Sequence, residues 1–179
     1  PSRHAASYLR SKSKAGEEVS GRIINTSSGA GILGSIAQAA YSSAKGAIAA
    51  MTLVQAAELG RIGVTANALA PAARTRMTEE AFKDMMAEVD AGAFDAMDPA
   101  NVSPLVVWLG SVESGDVTGR MFEVEGGIIG IAEGYNHGPR VDKGARWEPD
   151  EIGSVVADLL REAVPPTPVA HTSIPNRSA

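Results

Sequence analysis

Tyr41 and Lys45 stand four residues apart in the run Tyr41-Ser42-Ser43-Ala44-Lys45. On a helix that spacing puts a phenol and an ammonium on one face, roughly 5–6 Å apart, and a neighbouring cation favours phenolate over phenol. A tyrosine whose ordinary pKa is about 10 needs such help to act as a general acid or base near neutrality. Ser28 precedes Tyr41 by thirteen residues and follows a short β-branched run. In a parallel α/β sheet ligands gather at the strand C-termini, so a strand-end serine and a tyrosine in the first turn of the next helix can converge on one small group. Two hydroxyls and an ammonium suit reduction of a carbonyl or oxidation of an alcohol. Taken alone, the pair also fits a surface lysine beside a half-buried tyrosine.

A second pattern lies between these residues. Gly29-Ala30-Gly31-Ile32-Leu33-Gly34 is a literal G-x-G-x-x-G, with Glu58 at about the distance expected of a ribose-binding acid. In a phosphate cradle the third glycine should sit where the helix begins. Here several residues intervene before the helical period becomes clear, and such a hexapeptide arises easily in a chain with 19 glycines, so a flexible strand-to-helix loop is the preferred reading over a phosphate cradle.

Positioning these side chains requires a frame. Gly21 to Asn25 is short, apolar and β-branched, and predicts a strand at 22–26. Ala37 to Leu59 is alanine-rich and free of proline; Tyr41, Ala44, Ile48, Met51, Thr52, Gln55 and Leu59 keep helical spacing, and Gly60 ends it. Ile62 to Leu69 predicts a second strand, stopped by Pro71. Strand, long helix and strand make a βαβ crossover, hence a parallel sheet. Further on, helices are expected at about 77–89 and 99–110, the latter starting with Ser103 as cap because of Pro104. Arg120 to Glu125 alternates as a third strand and Gly126-Gly127 breaks it, while residues 128–147 show turn residues and no period. Ile152, Val155, Val156, Leu159 and Leu160 predict an amphipathic helix that should dock, and Ser2 to Gly16, with Ala5, Ala6 and Leu9 at helical spacing, reads as the middle or end of a helix. The prolines after residue 163 predict a disordered tail over 164–179.

Composition narrows the chemistry. The 179 residues are 44% hydrophobic and 21% charged, enough for one globular domain. Sixteen Lys+Arg against 21 Asp+Glu give a formal charge of −5, which argues against nucleic acid and a polybasic membrane anchor. With no cysteine and with His4, His137 and His171 scattered, no metal-ligand spacing is expected. No run of about 18 apolar residues is present, so the sequence is read as soluble and cytoplasmic.

Taken together, the strand ending in Thr26-Ser27-Ser28-Gly29-Ala30-Gly31, the YSSAK run, Asn67-Ala68-Leu69-Ala70-Pro71 and the segment VTGRMFEVEGG resemble the C-terminal half to two-thirds of a short-chain dehydrogenase/reductase, over about residues 1–163. The similarity is strongest to 3-oxoacyl-ACP reductase and 3-hydroxyacyl-CoA dehydrogenase-like members. It implies an α/β doubly wound parallel sheet, Rossmann-like and N-terminally incomplete. It also implies hydride transfer between NAD or NADP and a small-molecule carbonyl or alcohol, possibly a 3-oxoacyl or 3-hydroxyacyl thioester. Tyr41 would be the acid/base, Lys45 would bind the nicotinamide ribose, and Ser28 would hydrogen-bond the substrate oxygen. Pro71, Ala72, Ala73 and Thr75 would line the nicotinamide, Thr75 bonding its carboxamide; Ala72 departs from the family's usual glycine. The same resemblance makes GAGILG the stretch after the serine's strand, and it implies a dimer or tetramer in the intact parent. The family's TGxxxGxG loop, its NAD- or NADP-selecting residue and its catalytic asparagine would precede Pro1. The alternative is therefore a catalytically silent fragment, at most an interaction module.

Overall fold

The structure is a computed structural model that describes residues 1–76, 78, 92–134 and 136–167. Its elements are α1 (Ser2–Lys14), β1 (Gly21–Thr26), α2 (Gly29–Leu33), α3 (Ala39–Leu59), β2 (Val64–Ala72), α4 (Ser103–Gly110), β3 (Met121–Glu125), β4 (Ile128–Ala132) and α5 (Ile152–Glu162), with 3-10 turns at Gly60–Ile62 and Pro99–Val102. The four strands lie in the order β1-β2-β3-β4. β1, β2 and β3 run parallel and β4 returns antiparallel to β3. Among the described residues, β1 has a partner on one side only, and a groove of about 460 Å³ follows that edge past Ile24, Ile48 and Met51.

Alternation along the strands builds two cores. On one face Ile23, Val64 and Ala66 pack with Ala56 and Leu59 of α3, flanked by Ala6 and Leu9 of α1. On the other, Leu69, Phe122 and Val124 pack with Leu105 and Leu109 of α4, flanked by Ile24. Helices therefore cover both faces, as a doubly wound sheet requires. β2 is the central strand and its first seven residues are all buried, which is why it reads as an unbroken run rather than an alternating one.

Asn67 is the polar exception inside β2, at 1% exposure. Its amide donates to the Val117 carbonyl at 2.7 Å and accepts from the Arg120 backbone N–H at 3.0 Å. Thr118 Oγ1 accepts from the Ala66 N–H at 3.1 Å, and the Gly119 N–H donates to the Ala66 carbonyl at 2.8 Å. One side chain and one strand edge thus fix the turn that launches β3.

The structure departs from the sequence reading at several elements. Pro71 does not stop β2, which continues to Ala72 and pairs Pro71 with Val124. Leu69 O accepts from the Ser27 N–H while the Ala68 N–H donates to Arg120 O, so odd-numbered residues face β1 and even-numbered ones face β3. Pro71 therefore lacks its donor on the side where β1 has already ended, and no ladder bond is lost. Residues 128–132, read as aperiodic, form β4 through the two-residue turn Gly126-Gly127. Gly126 has φ +54° and a Cβ there would come within 3.1 Å of Ala96 backbone, so the turn depends on glycine. Ser103 is the first residue of α4 rather than its cap, Pro104 lying in the first turn; Asp98 caps the preceding 3-10 turn. α5 forms, but none of its residues is buried, so the expected docking is not seen among the described residues. GAGILG is a short helix, α2, and not a flexible loop. The helix expected at 77–89, with Met77, Met85 and Met86, lies outside the described residues, as does 168–179; residues 164–167 have no regular structure.

Asn67→Ala should lower unfolding free energy by about 1–3 kcal/mol, because it leaves the part-buried Val117 carbonyl and Arg120 N–H without their partner. Urea denaturation followed by circular dichroism measures this; a loss below about 0.5 kcal/mol would show that water replaces the amide freely.

Candidate active site

Parallel pairing of β1, β2 and β3 places the end of β1, with Ser28 two residues beyond it, and the end of β2, with Pro71 and Ala72, on the same edge of the sheet. α3 starts at that edge, so Tyr41 lies in its first turn and Lys45 one turn further. Ala73 and Thr75 follow directly on β2. Ser28, Tyr41, Lys45, Pro71, Ala72, Ala73 and Thr75 therefore sit at the C-terminal edge of the strands, where doubly wound folds bind ligands, whereas Glu58, the acid expected of a dinucleotide cradle, lies in the last turn of α3 and pairs with Arg10 at 3.0 Å.

Lys45 is the hub. Its Nζ donates to the Thr26 carbonyl at 3.0 Å and lies 5.6 Å from the centre of the Tyr41 ring. An ammonium has three N–H donors, so two remain after the bond to Thr26. The Lys45 backbone is also held, since Ser27 Oγ donates to the Lys45 carbonyl at 2.7 Å. Ser27, 2% exposed, was not singled out by sequence reasoning. Its signal is faint: a hydroxyl beside the candidate Ser28, on the opposite side of an extended chain.

Ser28 caps α2, its Oγ accepting from the Ala30 N–H at 3.2 Å. The hydroxyl keeps its own proton to donate elsewhere. Among the described residues Ser28 and Tyr41 share no hydrogen bond, and the Tyr41 ring is 45% exposed. Neither hydroxyl is therefore spent on the other.

The glycines of the hexapeptide have a different task from the phosphate cradle. A Cβ on Gly31 would lie 2.6 Å from the Lys45 carbonyl carbon and 2.8 Å from Gly46 N, whereas one on Gly29 would meet nothing within 4 Å. Gly31 is where α2 presses on the backbone of α3 beneath Lys45. Between the two helices Ala37 takes φ +60°, a left-handed conformation that a non-glycine residue adopts at some cost. The chain accepts that bend to aim α3 at the sheet edge.

A depression of about 350 Å³ opens beside these residues, lined by Gly29, Pro71, Ala72, Val124 and Ile128, with the carboxylates of Glu123 and Glu125 on its rim. Thr75 and Thr78 exchange hydrogen bonds: the Thr75 N–H donates to Thr78 Oγ1 at 2.7 Å and the Thr78 N–H to Thr75 Oγ1 at 3.3 Å. Arg74 pairs with Asp95, and its N–H donates to the Met97 carbonyl at 2.7 Å, so the loop after β2 is tied to residues 95–97. Among the described residues no cluster of metal ligands occurs, and no helix is long and apolar enough to cross a membrane.

A family model described as enoyl-(acyl carrier protein) reductase matches residues 3–129. A crystal structure of a short-chain dehydrogenase from Mycobacterium avium is 62% identical with a TM-score of 0.82, covering 95% of this chain and 55% of that one. The hydroxyacyl-CoA dehydrogenase ChsB1 of Mycobacterium tuberculosis is 39% identical over 88% of this chain and 50% of its own length. The 3-oxoacyl-[acyl-carrier-protein] reductase FabG of Vibrio cholerae is 36% identical over 62% of this chain and 47% of its own. The chain spans about half the length of these relatives.

Gly31→Ala should force α2 off α3 and lower stability by about 1–3 kcal/mol. Gly46→Ala, whose Cβ would stand 3.2 Å from the Gly31 carbonyl oxygen, should cost less, and Gly29→Ala least. Thermal melts of the three variants check the order; equal effects at Gly29 and Gly31 would remove the packing role.

Proposed function

The chain belongs to the short-chain dehydrogenase/reductase family, and from that membership we propose that it supplies the substrate-orienting and proton-transfer groups of an oxidoreductase acting on the 3-hydroxyacyl or 3-oxoacyl thioester class. The observation that carries this reading is the placement of the Lys45 ammonium between the Thr26 carbonyl and the Tyr41 ring at the ligand edge of the sheet. The names of the similar proteins, a hydroxyacyl-CoA dehydrogenase and a 3-oxoacyl-ACP reductase, support the substrate class.

Each residue then has a role its surroundings permit. Ser28, with its oxygen already accepting from Ala30, donates its proton to the substrate oxygen and orients it. Tyr41 Oη takes the hydroxyl proton when an alcohol is oxidised and returns it when a carbonyl is reduced. Lys45 holds positive charge beside that phenol and offers its two remaining N–H donors to ribose hydroxyls. The family implies a nicotinamide cofactor, which when bound supplies the hydride acceptor or donor. The residues present fit its nicotinamide end: Pro71 and Ala72 wall a small depression, and small side chains there leave room for a flat ring. Glu123 and Glu125 on the rim disfavour phosphates, so the pyrophosphate is not held at this depression. Thr75 stands in the loop after β2, its hydroxyl hydrogen-bonded with that of Thr78 at 3.1 Å. The choice between NAD and NADP rests on none of these residues. Exposed Leu53 and Val54 on α3 support self-association of that helix into a dimer or tetramer.

Tyr41→Phe should reduce turnover of a 3-hydroxyacyl-CoA by 10²- to 10⁴-fold while cofactor affinity stays within a few-fold, since only the proton-carrying oxygen is lost. Lys45→Met should raise the cofactor KM as well as lower the rate. Absorbance of the reduced nicotinamide reads both; a Tyr41→Phe protein keeping more than about a third of the parental rate would end the assignment.

A further inference from the structure

On the far side of α2 from Ser28 lies a cavity of about 690 Å³, large enough for a ligand of substrate size. Ile32 and Leu33 form one wall, residues 133–134 and 136–139 a second, and residues 162–164 with Pro166 and Thr167 a third. α2 has five residues, so at 1.5 Å per residue its C-terminal end is only about 8 Å from its Ser28 cap. A molecule whose oxygen meets Ser28 can reach this cavity by running along α2. Asn136, His137 and Thr167 line part of it, while Ile32, Leu33, Pro139, Val164 and Pro166 give it an aliphatic portion that calls for an apolar occupant.

Charge decides which end of a thioester enters. Glu133 and Glu162 are the carboxylates at the cavity, His137 is the other titratable side chain there, and no Lys or Arg is among its described lining residues. A coenzyme A or phosphopantetheine arm carries several phosphate charges, which two carboxylates repel and which no Lys or Arg among the described lining residues offsets. A hydrocarbon tail has no such conflict. We propose that this cavity receives the apolar acyl end of the substrate, so that Ile32, Leu33 and Val164 set a preference for long or bulky acyl groups over short ones. This rests on the reading of Ser28 as the group that orients the substrate oxygen.

The test separates binding from turnover. Calorimetric titration of the protein with dodecanoyl-CoA and acetyl-CoA should show the longer thioester binding about tenfold tighter or more. Leu33→Trp, which fills the cavity from α2, should erase that difference and leave acetyl-CoA binding unchanged. Val164 is 90% exposed, so Val164→Trp keeps the fold and should narrow the preference from the opposite wall. Equal affinity for both thioesters, or a preference that both tryptophans leave intact, would overturn the proposal. A tryptophan-sensitive preference without oxidation of 3-hydroxydodecanoyl-CoA by either nicotinamide cofactor would uphold the cavity and end the reaction assignment. Oxidation of 3-hydroxybutanoyl-CoA with no chain-length preference in binding would do the reverse.

Discussion

The bond between the end of β1 and the second turn of α3 is the constraint on which the site depends. The last residue of β1 and the one after it take part: the Thr26 carbonyl accepts from Lys45 Nζ, and Ser27 Oγ donates to the Lys45 carbonyl. Main chain and side chain of one lysine are thereby fixed to one strand end. Gly31 presses against the same residue from the other side. A lysine otherwise loses about 2 kcal/mol of rotamer entropy when ordered, and here that loss is shared with contacts that also seat the helix. Position of charge and position of helix are set by the same atoms.

That seat is possible because the sheet is shaped to receive α3. The face of β2 towards α3 presents Ala66, Ala68 and Ala70, each buried, while the face towards α4 carries Leu69 beside Phe122 and Val124 of β3. Small residues let the long helix come close and leave bulk to the other side. Asn25 on β1 then donates to Thr52 and Gln55 of α3 at 2.9 and 2.8 Å, fixing the helix along its length. Packing sets the distance and polar bonds set the register.

Much of this was legible in the sequence because it was local and periodic. The strand at 22–26, the helix to Leu59, the strand before Pro71 and the one at 120–125 announce themselves through β-branched runs and helical spacing, and the Tyr41–Lys45 pair follows from four-residue geometry alone. What escaped needed tertiary information. Pro71 continues its strand only because β1 has already ended beside it. β4 is short and carries Gly130 in its middle, so its alternation is weak, although Gly126-Gly127 between apolar runs is a hairpin signal. Ser27 is silent because a buried serine looks like its exposed neighbour until the fold shows which one faces the helix. α5 has an apolar stripe that is genuine as a pattern, yet periodicity states only that a helix has a face, not what covers it.

The hexapeptide GAGILG shows how one spacing serves two physical ends. In a dinucleotide cradle, glycines remove Cβ atoms so that a phosphate can approach backbone N–H groups. Here Gly31 removes a Cβ so that backbone can approach backbone, the intruding atoms being the Lys45 carbonyl carbon and Gly46 N. Both uses require close approach, so both select glycine, and the string cannot distinguish them. The discriminator is the partner: α2 leads from a serine cap into contact with the helix that holds Tyr41 and Lys45. A glycine that brings two helices together under a charged side chain acts on the chemistry through geometry, and no phosphate needs to be invoked to explain its presence.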